Sequence, residues 1–265
     1  MAKRISKKDI YVAYGIEYNP KTGKINSPVF GWINPLLING NDKLGKGVYT
    51  WSMLPTNKEF NITIEHVDYK ACGTCPCYCN GCYACTGCYN FYSTKQANMR
   101  KTWLARYEMD FVKRAILAQL KADKITLCRI HAAGDFFSTE YINMWREIVK
   151  EADTVIFWTY TKNTEAETAF TDLKNINIVS SIIPGYGFNF GHCDYIIRVY
   201  NALKEAGKDV YICRCGIDKN QHCTNCKGCS KNKFVLFIEH STEYVAETDP
   251  LFPELKTIIE NQPAQ

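Results

Sequence analysis

The residues able to do chemistry in this chain are cysteines, and they come in two groups. Between Cys72 and Cys88 the sequence reads CGTCPCYCNGCYACTGC, placing Cys72, Cys75, Cys77, Cys79, Cys82, Cys85 and Cys88 within seventeen residues. A core uses cysteine as a small apolar side chain and takes one or two of them, so a run this dense reads as soft ligands for a metal. Its last part, Cys82-x2-Cys85-x2-Cys88, has the spacing by which ferredoxin-type segments hold an iron–sulfur cluster. The device returns as Cys223-x2-Cys226-x2-Cys229, preceded by Cys213 and Cys215. Twelve of the fourteen cysteines fall in these groups, enough for two four-cysteine [4Fe–4S] sites with four to spare, or for three with none.

Two other uses of cysteine compete with that reading. Disulfides need an oxidising compartment, whereas the chain opens with MAKRISKK and shows no apolar signal segment. The expectation is a protein of a reducing cytoplasm, where such spacing favours metal. Structural zinc is the stronger rival, since it binds four thiolates, commonly as two C-x2-C pairs separated by a longer loop. Cys128 and Cys193 stand alone and read as packing residues.

Composition bounds the rest. A hydrophobic content of 46% and a charged content of 22% are those of a globular chain, and no apolar run approaches the ~18 residues of a membrane span. The formal charge of +5 is too mild and too scattered for a nucleic-acid footprint. The length suits one domain over 1–210 with a C-terminal cysteine segment over 211–265 packed on it.

The elements that must position the cysteines alternate. Val48–Pro55 reads as a strand stopped by Pro55, and FNITIEHV (60–67) as a strand delivering the chain to the cysteine loop. Ser93 to Leu120 has the apolar spacing of one long helix. Then come a strand over Ile125–Ile130 ending at His131, a helix over Ser138–Val149, a strand over Thr154–Tyr160 and a short helix from Thr164 with a Thr164/Glu167 capping box. A strand over Ile176–Ile183, a helix over Asp194–Ala206 and strands at Asp209–Cys213 and Phe234–Ile238 follow, with a helix expected after Pro253. Continuous apolar strands alternating with helices predict an α/β fold with a parallel sheet, curled into a partial (β/α) barrel. In such folds ligands sit beyond the strand ends. This points to His131 and Asp135 as catalytic candidates, and to Gly134, Tyr160, Lys162 and Ser180 as cofactor-binding candidates. Trp158 and Tyr160 are expected to divide between core and pocket.

The strings NDKLGKGVYTWSMLP, TCP, CTGCYNF, RIHAAGDFFSTEYINMW and VIFWTYTKN, from about Asn41 to Asn163, resemble the phage "gene product 88" family. That resemblance implies a phage or prophage origin and no particular reaction. A weaker resemblance is to radical SAM enzymes, whose C-x3-C-x2-C motif is matched by Cys75-x3-Cys79-x2-Cys82, with Gly81 where they carry an aromatic residue. It would imply a [4Fe–4S] cluster with one iron open to S-adenosylmethionine, Asp135 gripping the methionine amine, and auxiliary clusters on Cys213–Cys229.

The expectation is thus an iron–sulfur redox or radical-SAM-like enzyme, served by an electron donor such as a ferredoxin or flavodoxin and taking a small-molecule ligand. The rival is a zinc- or cluster-stabilised binding protein for nucleic acid or a host protein. It would use Lys70, Lys95, Arg100, Lys101 and Arg106 for phosphates, and Tyr83, Tyr89, Phe91 and Tyr92 for stacking.

Overall fold

The computed structural model describes residues 5–40, 44–56, 58–64, 66–75, 82–85, 87–218, 221–226, 228–239 and 246–263. Cys77 and Cys79 lie outside the described residues. The chain begins with α1 (Lys7–Ala13), started by a capping box in which Ser6 and Asp9 exchange side-chain and backbone hydrogen bonds. A small antiparallel meander follows: β1 (Tyr18–Asn19), β2 (Lys24–Ser27) and β3 (Gly31–Ile33). Next come β4 (Ile38–Asn39) and β5 (Val48–Ser52), and then the hairpin of β6 (Glu59–Ile64) and β7 (Val67–Cys72).

Helices α2 (Tyr92–Tyr107) and α3 (Met109–Ala122) lead to β8 (Leu127–Ala133), α4 (Thr139–Glu151), β9 (Ile156–Thr161), α5 (Thr164–Ala169) and β10 (Ile176–Ser180). The short strands β11 (Ile182–Ile183), β12 (Gly187–Phe188) and β13 (Phe190–Gly191) precede α6 (Cys193–Glu205) and β14 (Val210–Ile212). The chain closes with α7 (Cys223–Cys226), β15 (Phe234–Ile238) and α8 (Phe252–Glu260).

The main sheet has the order β10-β9-β8-β5-β4, and its first four strands are parallel, with the edge strand β4 antiparallel to β5. The α/β class with a parallel sheet is therefore observed. Continuing it around a barrel would require β14 to join edge strand β10. Instead β14 pairs with β15, and β15 with β13, in a separate three-stranded parallel sheet.

Three expectations about elements change. FNITIEHV does not belong to the main sheet, because β6 turns back on β7 in a two-stranded hairpin. The long helix is two helices, broken at Glu108, where φ −132° and ψ 45° leave the helical region. No Pro or Gly marks that break; it lets α2 lie along β6 and β7 while α3 packs on α1 and α4. The helix at Thr164 is capped by Asn163, whose side-chain oxygen accepts the Ala166 N–H, rather than by Thr164. By contrast Ser138 caps α4, its hydroxyl accepting from Tyr141 N.

The largest core lies between the main sheet and helices α1, α3 and α4, around Trp51, Phe136, Tyr141, Trp145 and Phe157. Cys128 is fully buried in it, and Cys193 in a second core beneath α6 and α8. No helix of the described residues is long and apolar enough to cross a membrane.

One buried polar clamp fixes the approach to the sheet. Gln119 accepts the Leu37 N–H and donates to the Leu37 carbonyl, each at 2.8 Å and out of water. Gln119→Leu leaves both backbone groups unsatisfied at about 1–3 kcal/mol each. Urea titration should therefore show a loss of at least about 2 kcal/mol; a variant as stable as the wild type would contradict the clamp.

Candidate metal centre

Cys213 follows β14, Cys215 sits in the next short turn of 3-10 helix, Cys223 and Cys226 begin and end the single-turn helix α7, and Cys229 sits in a 3-10 turn. These compact turns bring the five sulfurs to one cavity, lined also by Leu127, Trp158, Gly228 and Ser230. The room between them is about 10 Å³, roughly that of one water-sized probe. Cys213, Cys226 and Cys229 are buried, and Cys215 and Cys223 half-buried.

The surroundings are fitted to the sulfurs. The Tyr211 hydroxyl lies 3.1 Å from Cys226 Sγ. Gly228 is required beside it, since a Cβ there would come within 2.4 Å of the Tyr211 ring. Cys215 Sγ lies 3.1 Å from the Gln221 carbonyl oxygen. From the main sheet, Tyr160 stands beside Cys229, and the Arg129 guanidinium covers the Tyr160 ring at 4.7 Å.

Burial pushes the Cys229 thiol up to about 12, and hydrogen bonding with Cys213 does the same for Cys215. Without a cation the cluster thus holds protons, which a metal would displace. Among the described residues no group of three or more His, Cys, Asp or Glu side chains already has the spacing of a single ion's ligand set.

Trp158 and Tyr160 do not divide between core and pocket. Two apart on β9, they share a face, and both point at the C-terminal cysteines. Sequence reasoning passed over Tyr211, Gly228 and the role of Arg129, although Arg129 alone interrupts the apolar run ITLCRI.

The other candidates gather elsewhere, at the carboxyl ends of β8 and β9. Strand β8 runs past His131 to Ala133, and its pairing with β5 shifts register: Thr50 faces Arg129 but Ser52 faces Ala133. That bulge holds His131 at φ +59°, a left-handed conformation rare for a side chain with a Cβ. It turns the imidazole into the α4 layer, where Nε2 lies 3.0 Å from the Tyr141 hydroxyl and the ring meets Phe136 and Trp145. Burial lowers its pKa from 6.5 to about 3.

Asp135 is buried too. Its carboxylate accepts from Phe136 N, Thr161 Oγ1 and Lys162 N, at 2.8, 2.6 and 2.8 Å. Burial outweighs these bonds and raises its pKa from 3.8 to about 6. The Thr161 and Lys162 contacts tie the loop after β8 to the end of β9 and the turn that follows it.

Gly134, at φ +86°, has no room for a Cβ, which would lie 2.5 Å from Thr74 Oγ1. The Lys162 amine lies over the Phe188 ring, and the Ser180 hydroxyl sits 2.6 Å from Glu167 and 2.7 Å from the Ile182 carbonyl. These residues are brought together with one another, apart from Ser180, and not with the C-terminal sulfurs.

The N-terminal cysteine loop abuts this network. Thr74 takes the Asp135 N–H on its hydroxyl, and the Tyr89 hydroxyl donates to the Ala132 carbonyl. Cys72, Cys85 and Cys88 are exposed, and Cys75 and Cys82 half-buried. Of the residues expected to touch nucleic acid, Phe91 and Tyr92 are exposed, but Lys101 is buried and Arg106 is engaged with loop carbonyls.

An α/β chain with a sulfur-lined seam between two sheets is thus the class that fold and site define. The gene product 88 family model matches residues 35–184, and the chain belongs to that family. It is similar to "Gene 88 protein" of Mycobacterium phage D29, 31% identical over 105 residues, which cover 35% of this chain and 42% of that protein. No solved structure matches.

The buried pair makes a prediction about acid. As pH falls from about 6.5 toward 3, the unfolded chain protonates His131 before the folded one does, so that residue costs stability. Asp135 acts oppositely: between about 6 and 3.8 the folded chain takes the proton first, and stability rises on acidification. His131→Gln should therefore lose less stability than the wild type, or gain more, on acidification from pH 6.5 to 4. Denaturant titrations across that range showing the same slope in both would contradict the buried neutral imidazole.

Proposed function

We propose that this family member is an iron–sulfur protein of phage origin whose C-terminal cavity holds a thiolate-ligated cluster for one-electron chemistry. The observation that carries the reading is the convergence of Cys213, Cys215, Cys223, Cys226 and Cys229 on one partly buried cavity. Cys223, Cys226 and Cys229 supply three thiols from one turn-rich segment, and Cys213 or Cys215 a fourth. A bound cluster supplies one-electron transfer that side chains do not.

The protein's own residues would set the behaviour of that group. Trp158 and Leu127 keep water from one side, the Tyr211 hydroxyl meets Cys226, and Tyr160, under Arg129, stands beside Cys229. Hydrogen bonds and positive charge at the sulfurs favour the reduced, more negative state. Five thiols for four positions support full ligation rather than an iron open to S-adenosylmethionine. The sequential order of β5, β8, β9 and β10 is what supports a partial-barrel scaffold. A redox role would call on a ferredoxin- or flavodoxin-like donor.

A second reading is structural zinc, favoured by the small room between the five cysteines, about 10 Å³, since a single ion needs less space than a cubane.

Anaerobic purification followed by visible spectroscopy separates the two. The iron–sulfur reading expects broad visible absorption that bleaches on reduction with dithionite and is diminished in Cys226→Ser and Cys229→Ser, which should also melt at lower temperature. A colourless protein with zinc and no sulfide would overturn it in favour of the second reading.

A further inference from the structure

Four large apolar side chains face water on one short stretch of this chain. Ile182, Tyr186, Phe188 and Phe190, on and beside the β11–β12 hairpin, are all exposed, Phe188 by 41% and Phe190 by 47%. The stretch is held in place. The Tyr195 hydroxyl sits 2.6 Å from the Phe188 carbonyl and 3.2 Å from that of Tyr186. Asn189 donates its side-chain N–H to the Val235 carbonyl and its backbone N–H to that of Ser181. The Phe188 and Phe190 rings stack at 5.7 Å. Exposed rings grouped and fixed in this way mark a contact surface.

Aromatic packing joins that surface to the cysteine cavity. Phe190 on β13 is the register partner of Phe237 on β15, and partners in parallel strands leave the sheet on the same face. The Phe237 ring meets the Tyr160 ring edge-on at 5.4 Å, and both pack on the core that holds Cys213, Cys226 and Cys229. Tyr160 stands beside Cys229. The series Cys229, Tyr160, Phe237, Phe190, Phe188 thus leads from a buried sulfur to water through neighbouring side chains. Electron tunnelling weakens more steeply across gaps than through packed atoms, so this series couples the surface to the cavity.

The charge around the rings is positive. Residues 181–191 include no Asp or Glu. The Lys162 amine lies over the Phe188 ring at 5.8 Å, and the Arg198 guanidinium over the Tyr195 ring at 5.5 Å. Of the acids at the margins, Glu239 lies 3.6 Å from His192, Glu167 takes the Ser180 hydroxyl, and Asp194 is exposed in the first turn of α6. Apolar rings rimmed by cations fit an acidic protein surface, the charge steering encounter and the rings holding it.

We propose that Phe188 and Phe190, with Tyr186 and Lys162, form the docking surface for an acidic one-electron carrier protein, whose electron enters the cysteine cavity past Phe190, Phe237 and Tyr160. The carrier loses one electron and the cluster gains it, with no bond made or broken. The proposal rests on the iron–sulfur reading of that cavity and adds where the electron enters.

The test uses the full chain, purified anaerobically, and a bacterial flavodoxin as the acidic carrier. Calorimetry follows binding of oxidised flavodoxin. Stopped-flow absorption follows reduction by flavodoxin hydroquinone, with dithionite as a reductant that needs no docking. Wild type should bind, and both affinity and flavodoxin rate should fall as salt rises. Phe188→Ser/Phe190→Ser and Lys162→Glu should each weaken binding and slow reduction by flavodoxin about tenfold. Their visible absorption and their rate with dithionite should match wild type.

A wild type that does not bind flavodoxin, or variants that bind it and take its electron as wild type does, would overturn the proposal and leave the cluster reading in place. So would a wild-type dimer that Phe188→Ser/Phe190→Ser dissolves, or a single-stranded oligonucleotide held by the same rings in preference to flavodoxin, since each gives the surface another occupant. A chain with no reducible cluster takes the electron route down with the reading it rests on, a failure seen in the spectrum and not in the calorimetry.

Discussion

The constraint on which this structure turns is a seam. The C-terminal third has its own small sheet and its own core under α6 and α8, yet its cysteine segment is fastened to the main sheet. Asn177, on edge strand β10, donates to the carbonyls of Cys229 and Asn232, at 2.8 Å each. The Thr224 hydroxyl meets the carbonyls of Leu44 and Lys46. Between these ties lie the sulfurs, Trp158 and Tyr160. Whatever the five thiols hold is therefore shared between two sheets, and a change at the sulfurs reaches both.

Crowded thiols alone are a weak fastening. Their hydrogen bonds are weak, and proton loss from any of them would set negative charges side by side. A metal removes that conflict and contributes its binding energy to folding. The network at His131 and Asp135 is of another kind, with each polar atom met by a neighbour, and it holds three loops in register beside the sheet.

Much of this was legible in the sequence, for identifiable reasons. Apolar runs as strong as ITLCRI and TVIFWTY leave no choice but buried parallel strands, and cysteine triplets at x2-x2 spacing announce themselves without an alignment. The failures share a cause, in that tertiary context overrode a local pattern. FNITIEHV alternates like a sheet strand, but its partner is the next segment rather than the core. Nothing in RIHAAGD signals a bulge, so His131 was expected at a pocket and sits under α4. Lys101 reads as one more solvated helix charge until its burial is seen. The five-cysteine convergence was foreshadowed by spacing, whereas its contact with Arg129 and Tyr160 depends on how the two sheets dock.

The central claim is that these cysteines are metal ligands, and metal and thiol stoichiometry on one preparation tests it most directly. The protein is purified anaerobically without added metal, then assayed for iron, zinc and acid-labile sulfide, and for thiols reactive before and after denaturation with chelator. The account predicts bound metal surviving gel filtration, with most cysteines of the two groups unreactive until the metal is removed. A folded, metal-free chain whose exposed and half-buried cysteines all react at once, or pair into disulfides in the native state, would contradict it.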